Sequence, residues 1–261
     1  MELVRYSLEH NVCTITMNRP DKRNALNPEL IAALRDAFKR AETDSEAKVV
    51  ILAAEGEAFC AGADLAYLQR MQGFSYEENL NDSTQLRDLF WQIYSHPKVI
   101  IARIQGPAIA GGCGLVSVCD FSFATGKASF GYTEVKIGFV PALVMSFLVR
   151  KIGEGRARQL LLTGTVIDSK EAYRMGLINC VSEKNMLTRD VETFATSLIK
   201  ANSFEAMKTT KQLLAQMQSL TLEASLDVAA AANARARETD DCKRGISAFL
   251  NKEKIDWNKG N

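Results

Sequence analysis

Histidine is scarce in this chain: there are only two among 261 residues, His10 and His96. Each stands in a segment typical of connections, because His10 separates two short apolar runs and His96 directly precedes Pro97. A serine–histidine–aspartate hydrolase needs a free imidazole, and a histidine-based zinc enzyme usually needs two or three. The sequence therefore argues against both classes of enzyme.

Net charge, long apolar runs and paired cysteines are lacking as well. The 32 basic and 31 acidic side chains leave a net charge of +1, which gives no sign of binding to nucleic acid or to a membrane surface. No apolar run reaches the length of a membrane span, and the first residues lack the basic and apolar regions of a signal peptide. The six cysteines form no CxxC pair and no cluster with histidine. We therefore expect a cytoplasmic protein with no disulfide framework and no metal site.

The residues that are present indicate an α/β fold with a large core. Apolar residues make up 47% of the chain. The run at 49–52 is continuously apolar, as strands buried on both faces are, and the run at 99–104, apolar except for Arg103, predicts a second buried strand. The runs at 3–8 and 12–17 predict a hairpin, and Asn27 followed by Pro28 predicts a helix start. Beyond Pro141, helical patterns follow one another. We expect an α/β core at residues 1–190 and a helical region at residues 191–261.

Two strand-to-helix junctions combine small residues with a predicted helix start. The first is FCAGAD at 59–64, and the second is AGGCG at 110–114. Small residues let a ligand approach the backbone, and the first N–H groups of a helix lack internal partners, so such a junction favours negative charge. Two junctions directed at one carbonyl oxygen would form an oxyanion hole, although each alone could simply be a tight turn. Neither junction matches the dinucleotide or P-loop motifs.

Together with other segments, these junctions give the chain a resemblance to the crotonase (enoyl-CoA hydratase/isomerase) family, over nearly its whole length. The matching segments include NRP at 18–20, NAL at 24–26, FCAGADL at 59–65, QGPA at 105–108, FG at 130–131, LTG at 162–164 and GLI at 176–178. The resemblance implies a spiral of ββα units with a helical C-terminal trimerisation region. It also implies an acyl-CoA thioester as substrate, no separate cofactor, and assembly as a homotrimer or a dimer of trimers.

The resemblance also implies roles for particular residues. The two oxyanion donors would be the backbone N–H groups of Ala63 and Gly111. Glu134 matches a catalytic glutamate of the family, although by itself it would be taken for a surface residue. A carboxylate surrounded by apolar groups has a raised pKa, which suits it to transferring a proton to and from a carbon atom. Contacts with the substrate or its coenzyme A are implied for Lys22, Arg23, Ala25, Ala61, Asp64, Leu65, Phe249 and Lys252. The last two are expected to reach coenzyme A on a neighbouring subunit, and a loop at 66–81 is expected to shape the acyl pocket.

Gly114 departs from the family pattern, because typical hydratases have a second catalytic glutamate at this position. Glu134 is then the sole acid–base group, since Asp120 at the far end of the helix is expected to be structural. The segments at 114–120, 134–142 and 156–158 resemble bacterial methylglutaconyl-CoA hydratases and their relatives, some of which also carry this glycine. We therefore expect a hydratase acting on a branched 2-enoyl-CoA. The alternatives are a Δ3,Δ2-enoyl-CoA isomerase, another crotonase chemistry, or an acyl-CoA-binding homologue without turnover.

Overall fold

A computed structural model describes residues 2–258 of the chain, which contain nine strands and eleven helices. The strands are β1 (Val4–Glu9), β2 (Val12–Met17), β3 (Val49–Ala54), β4 (Val99–Ile104), β5 (Ala108–Ile109), β6 (Phe121–Thr125), β7 (Ser129–Gly131), β8 (Ile167–Asp168) and β9 (Cys180–Ser182). The helices are α1 (Pro28–Thr43), α2 (Leu65–Met71), α3 (Tyr76–Tyr94), α4 (Gly111–Val118), α5 (Ala142–Ile152), α6 (Glu154–Thr163), α7 (Ser169–Met175), α8 (Leu187–Ala201), α9 (Phe204–Met217), α10 (Leu222–Glu238) and α11 (Asp240–Leu250).

The strands form two sheets between which the chain repeatedly passes. The main sheet has the order β1-β2-β3-β4-β6-β9, with β1 and β2 antiparallel and the other neighbours parallel. The small sheet has the order β5-β7-β8, and isolated bridges join Cys60 to Ala108 and Leu26 to Ala63. From β4 the chain enters β5 and then α4, and from β6 it enters β7 and then, through a 3₁₀ turn, α5. This alternation confirms the predicted α/β spiral of ββα units.

The central strands are buried on both faces, as their continuous apolar sequence predicts. In β3, Val50 and Leu52 face the core that also holds the buried stripe of α1, whereas Val49 and Ile51 face a second core under α8. Alternate residues of a strand point to opposite faces, so both sets must be apolar when helices cover both sides. The α1 helix starts where expected, with the Asn27 side chain accepting a hydrogen bond from the Leu30 N–H at 3.0 Å.

The C-terminal region is helical from α8 onward. The predicted division between residues 190 and 191 falls inside α8, whose apolar side packs on the main sheet. The following two helices bury little: Lys211 is the only buried residue of α9, and α10 has none. Lys211 donates to Asp120 at 2.7 Å, and Asp120 also accepts from the Ile100 N–H at 2.7 Å. Asp120 is therefore structural, as expected.

The segment at 66–81 is mostly helical, which corrects its interpretation as a loop. Asp64 caps α2 by accepting hydrogen bonds from the N–H groups of Ala66 and Tyr67. Ser75 and Glu78 then form a capping box that starts α3 at Tyr76, several residues before the helical pattern becomes apolar. Only the short stretch at 72–75 connects the two helices. The capping box was readable in the sequence as Ser75 followed three residues later by Glu78.

Candidate active site

The first junction is held by contacts that leave the Ala63 N–H unused. Gly62 has φ of +92°, a conformation that side chains disfavour, and its carbonyl accepts a hydrogen bond from the Leu26 N–H at 2.7 Å. The Asp64 N–H donates to the Leu26 carbonyl at 2.9 Å. Ala63, between them, is exposed, and its N–H donates to no acceptor within the described part of the chain. One backbone donor is thus available at this turn.

The second junction presents a donor in the same way. Ala110 adopts φ of +51° and ψ of −123°, and its N–H donates to the Gly131 carbonyl at 2.7 Å. Gly111 is the first residue of α4, so its N–H has no acceptor inside the helix. The Gly114 N–H closes the first turn on the Ala110 carbonyl at 2.9 Å. The free N–H of Gly111 lies at the positive end of the helix dipole.

The two junctions are in direct contact. A Cβ atom added to Gly62 would lie 3.0 Å from Ala110 Cβ and 3.1 Å from the Ile109 carbonyl oxygen. A Cβ atom added to Gly112 would lie 2.2 Å from the Cys60 carbonyl oxygen. Glycine is therefore required at both contacts, because any side chain would push the turns apart. The structure brings together the two turns that carry the predicted donors, which is the arrangement an oxyanion hole needs.

Glu134 stands at the start of the 3₁₀ turn Glu134–Ile137 and is half-buried. Its Oε2 atom is buried and has no hydrogen-bond partner among the residues that the structure describes. Burial raises the pKa of the Glu134 carboxyl above its ordinary value. Burial also raises the pKa of the Cys113 thiol to about 12, and the nearby negative charge of Glu134 adds to that increase. Gly131, three residues before Glu134, accepts a hydrogen bond from the Ala110 N–H, so the segment that carries the carboxylate lies beside the start of the helix that carries Gly111.

Gly114 contributes close packing and no functional group. A Cβ atom at this position would lie 2.5 Å from Val144 Cγ1 and 2.8 Å from Phe90 Cζ. Both side chains are buried, so α3 and α5 meet α4 directly at this glycine. The space beside position 114 is therefore already filled. This explains the glycine in physical terms and leaves Glu134 without a neighbouring carboxylate at this position.

The predicted coenzyme A residues fall into two groups. Lys22, Arg23 and Leu65 are exposed near the first junction, Ala61 is half-buried, and Ala25 is buried. The Arg23 carbonyl accepts a hydrogen bond from the Ala61 N–H at 3.0 Å, which joins the polar loop to the junction. Phe249 and Lys252 are exposed at the end of α11, in the C-terminal region. Their contacts with coenzyme A stay predictions.

Asp64 has structural partners at both carboxylate oxygens. One oxygen caps α2, and the other accepts a hydrogen bond from the Arg19 guanidinium at 2.7 Å. This hydrogen bond lowers the pKa of the Asp64 carboxyl. Arg19 also donates to the Ala25 carbonyl at 2.7 Å. The pair therefore holds the loop at 18–26 against the first junction, and a contact of Asp64 with the substrate remains a prediction.

Several residues that shape the site carry no signal in the sequence that would connect them with it. Tyr132 is fully buried and its hydroxyl oxygen lies 2.6 Å from that of Ser117 in α4. Phe90 and Val144 fill the space beside Gly114. The apolar periodicity of α3 and α5 predicts Phe90 and Val144 only as core residues. No local signal connects them with position 114. The NRP segment marked the Arg19 region, but its pairing with Asp64 depends on the tertiary fold.

The histidines take no part in the site. His96 is buried, with Nε2 3.2 Å from the Phe38 carbonyl oxygen, and Nδ1 accepts from the Lys98 N–H at 3.1 Å. Burial lowers the pKa of His96 to about 4. Within residues 2–258, no group of three or more His, Cys, Asp or Glu side chains is arranged to hold a metal ion. The helices in this same range include none that is long and apolar enough to cross a bilayer.

Comparison with known proteins identifies the family to which this arrangement belongs. A protein of Thermus thermophilus named "Putative enoyl-CoA hydratase" is 41% identical over 93% of this chain and 95% of its own length. The crotonyl-CoA hydratase of Syntrophomonas wolfei is 31% identical over 95% of both chains. The crystal structure of an enoyl-CoA hydratase from Mycobacterium smegmatis matches with a TM-score of 0.92 and 30% identity, covering 99% of this chain and 100% of the other. The family model for enoyl-CoA hydratase/isomerase matches residues 7–260, so the chain belongs to the enoyl-CoA hydratase/isomerase (crotonase) family.

Proposed function

We propose that the protein adds water to the double bond of a 2-enoyl-CoA thioester. The observation that carries the proposal is a half-buried carboxylate with an unpaired oxygen, close to two contacting turns that each offer a free N–H group. Relatives of similar length are named for hydration of enoyl-CoA thioesters, which supports the same reaction here. Glu134 is the acid–base group, and the N–H groups of Ala63 and Gly111 are the oxyanion donors.

The reaction proceeds with one carboxylate as both base and acid. Ionised Glu134 takes a proton from a water molecule while the water oxygen forms a bond to C3 of the substrate. The electron pair of the C2–C3 double bond moves toward the thioester, whose oxygen becomes an enolate oxygen held by the two N–H groups. Glu134 then returns its proton to C2, which completes the addition and restores the carboxylate. Each oxyanion donor is expected to contribute about 3–4 kcal/mol to lowering the barrier.

The raised pKa of Glu134 suits both halves of this cycle. A carboxylate with an ordinary pKa is a weak base toward water, whereas a pKa nearer to neutrality lets one group both take up and release a proton at the pH of the reaction. Burial in an apolar setting disfavours the charged form, so the group accepts a proton more readily. The same low polarity strengthens the hydrogen bonds from Ala63 and Gly111 to the developing negative charge.

The finer parts of the proposal concern the substrate and its surroundings. Lys22 and Arg23 are exposed cations beside the first junction, where they are suited to binding coenzyme A phosphates. The acyl group is proposed to be branched and of the methylglutaconyl type, on the basis of the sequence resemblance around Gly114 and Glu134. Hydration causes no net oxidation or reduction, so the reaction needs no redox cofactor. The protein is proposed to act in the cytoplasm.

A panel of 2-enoyl- and 3-enoyl-CoA thioesters, linear and branched, tests the proposal. Purified protein is expected to hydrate 2-enoyl thioesters, with a higher kcat/KM for branched ones. Loss of the ultraviolet absorbance of the conjugated thioester would be followed, and the 3-hydroxyacyl product identified by mass spectrometry. Binding of thioesters without any turnover would instead indicate an acyl-CoA-binding protein and contradict the proposal.

Δ3,Δ2-Enoyl-CoA isomerisation is the second candidate, and the packing at Gly114 favours it. An isomerase needs to move only one proton between two carbons, so one carboxylate is sufficient. The contact of Phe90 and Val144 with Gly114 leaves no space for a second carboxylate at this position. The panel separates the two candidates, because conversion of 3-enoyl to 2-enoyl thioesters without any hydrated product would refute the hydratase proposal.

A further inference from the structure

The segment that carries Glu134 is fixed much more firmly on one side than on the other. After Glu134, residues 136–140 are all exposed, and Gly138 has φ of +74° with no atoms near the position of a Cβ. Before Glu134, Gly131 and Tyr132 are buried. Beyond Glu134, the side chains of Val135 and Lys136 lie beside Gly164 at the end of α6. The contacts of Gly131 and Tyr132 hold the segment against the second junction and α4.

Both of these preceding residues are bonded to the segment that starts at the second junction. The Gly131 carbonyl accepts a hydrogen bond from the Ala110 N–H at 2.7 Å, directly before the predicted donor Gly111. The Tyr132 and Ser117 hydroxyl oxygens are 2.6 Å apart, and the Tyr132 hydroxyl also lies 3.3 Å from the Cys113 carbonyl. The Ser117 hydroxyl donates to the same carbonyl at 3.2 Å. Two attachments thus join the Glu134 segment to helix α4.

The hydroxyl of Tyr132 is not needed to fill the core. A phenylalanine would occupy the same space and would bring no polar group that needs a partner in the interior. With the hydroxyl present, the ring is fixed along the helix axis as well as packed against it, since its two partners, the Ser117 hydroxyl and the Cys113 carbonyl, meet at one place on α4. A buried hydrogen bond has strict requirements of distance and angle, which apolar packing lacks. The hydroxyl therefore adds a constraint on position.

We propose that Tyr132 is a positioning residue, whose hydrogen bond to Ser117 holds the Glu134 carboxylate at a fixed place relative to the Gly111 N–H. This inference rests on the proposed function, in which Glu134 moves the proton and Gly111 binds the thioester oxygen. A misplacement on the order of 1 Å in such a pair can cost about 100-fold in rate. Tyr132 acts only through Glu134 and does not touch the substrate.

The kinetic test compares Tyr132→Phe with a matched control, Tyr6→Phe. Tyr6 on β1 donates to the Asp44 carboxylate at 2.8 Å, so this control also removes one tyrosine hydrogen bond, at the end of α1. Tyr132→Phe is expected to lower kcat at least about 10-fold while KM changes less than about twofold. Tyr6→Phe is expected to keep both constants. A folded Tyr132→Phe variant with the kcat of the unmodified protein, or an equal loss in Tyr6→Phe, would overturn the inference.

A second measurement tests the inference without relying on turnover. Loosening the segment admits water to Glu134, so the pKa of its carboxyl should fall toward the ordinary value in Tyr132→Phe. Carbon-13 NMR of glutamate-labelled protein would follow this titration, with the Glu134 signal assigned from Glu134→Gln. An unchanged titration would count against the inference even if no thioester is turned over. Absence of turnover in the unmodified protein would separately refute the proposed function.

Ser117→Ala identifies the hydrogen bond through which Tyr132 acts. The Tyr132 hydroxyl keeps the Cys113 carbonyl as an acceptor in this variant, so the fall in kcat should be smaller than in Tyr132→Phe. The double variant should be no slower than Tyr132→Phe alone, because both substitutions remove the same contact. Losses that multiply in the double variant would show that the two hydroxyls act independently and would overturn the proposed contact.

Discussion

The Glu134 carboxylate combines a property that aids catalysis with one that opposes folding. Its buried oxygen has no hydrogen-bond partner within the described residues, and burial raises the pKa of the group. A charged oxygen taken from water without a partner destabilises the folded chain. The same lack of partners leaves the oxygen free to bind a water molecule or a substrate proton. The residue is therefore expected to lower stability in exchange for reactivity.

Glu134→Gln separates these two effects. The amide keeps the shape of the side chain but cannot take up a proton at neutral pH, so kcat should fall by about 10²–10⁴-fold. Binding of a coenzyme A thioester should be nearly unchanged, because the N–H donors and exposed cations remain. Steady-state kinetic assays measure kcat, and isothermal titration calorimetry measures the affinity for the thioester. Retention of more than a tenth of the activity would show that Glu134 is not the acid–base group.

The pH dependence of stability gives an independent check on the Glu134 charge. Because its pKa is raised on folding, the native state binds the proton more tightly than the unfolded chain does. Glu134 therefore lowers stability progressively as pH rises from the unfolded pKa, about 4.3, through the higher folded pKa. The Gln variant should melt at a higher temperature than the unmodified protein at pH 7 and show no such advantage at pH 4. An equal difference in melting temperature at both pH values would argue against the raised pKa.

At the scale of elements, the two junctions form one unit because their backbones touch. Gly62→Ala tests this contact, since the new Cβ would lie 3.0 Å from Ala110 Cβ and φ of +92° disfavours any side chain. We expect kcat to fall by about 10²-fold, as for other lost oxyanion contacts, with a smaller change in KM. Gly155→Ala in α6 is the matched control, because nothing lies within 4 Å of its Cβ position. If Gly62→Ala folds and keeps its kcat, the turn does not position a donor.

Three helices meet at Gly114, which predicts how that position responds to a side chain. Gly114→Ala places a Cβ 2.5 Å from Val144 Cγ1 and should lower the free energy of unfolding by about 1–3 kcal/mol. Adding Val144→Ala removes the clashing atom, so the double variant should lose less stability than the sum of the two single changes. Val149→Ala, elsewhere on α5, should give no such recovery. Urea titrations measure the three single and two double variants, and strictly additive losses with Val144→Ala would disprove the contact.

The elements that could be predicted from the sequence are those whose signals are local. Periodicity and capping residues over short distances predict the hairpin, α1 with its Asn27 cap, the buried strands β3 and β4, and the consecutive C-terminal helices. The strands β5, β7 and β8 have only two or three residues each, so they carry no readable period. Their pairing is decided by the tertiary fold. The segment at 66–81 has no apolar period that would predict its helices, because α3 begins with polar residues.

The candidate site divides in the same way between local and distant signals. The glycines and small residues of both junctions are visible in the sequence, and the family resemblance ordered them into one site. The contact between Gly62 and Ala110 is not visible, because it joins positions on separate turns of the spiral. The contacts of Phe90 and Val144 with Gly114 are not visible in the sequence for the same reason. The hydrogen bond between Tyr132 and Ser117 is not visible either. Each is an ordinary core or helix residue until the fold brings it beside its partner.

At the scale of the whole molecule, the C-terminal helices have more apolar surface than one chain can cover. The 17-residue helix α10 has no buried residue, and Leu222 and Leu226 on it are 77% and 61% exposed. Phe249 on α11 is 82% exposed. Exposed leucines one helical turn apart, such as Leu222 and Leu226, are typical of a surface that contacts another protein. Since the predicted partner is a second copy of this chain, we expect these helices to pack between subunits.

Light scattering of the purified protein tests this expectation. We predict a mass of three or six times the 28.8 kDa of one chain, since a closed ring of like subunits covers each C-terminal surface. The double variant Leu222→Glu and Leu226→Glu should shift the protein toward the monomer, because burying two carboxylates at an interface is strongly unfavourable. Lys39→Glu, a charge change on the exposed side of α1, should leave the mass unaltered. A monomer at micromolar concentration for the unmodified protein would contradict the prediction. It would also remove the support for Phe249 and Lys252 as contacts to coenzyme A on a neighbouring subunit, because there would be no neighbour for them to reach.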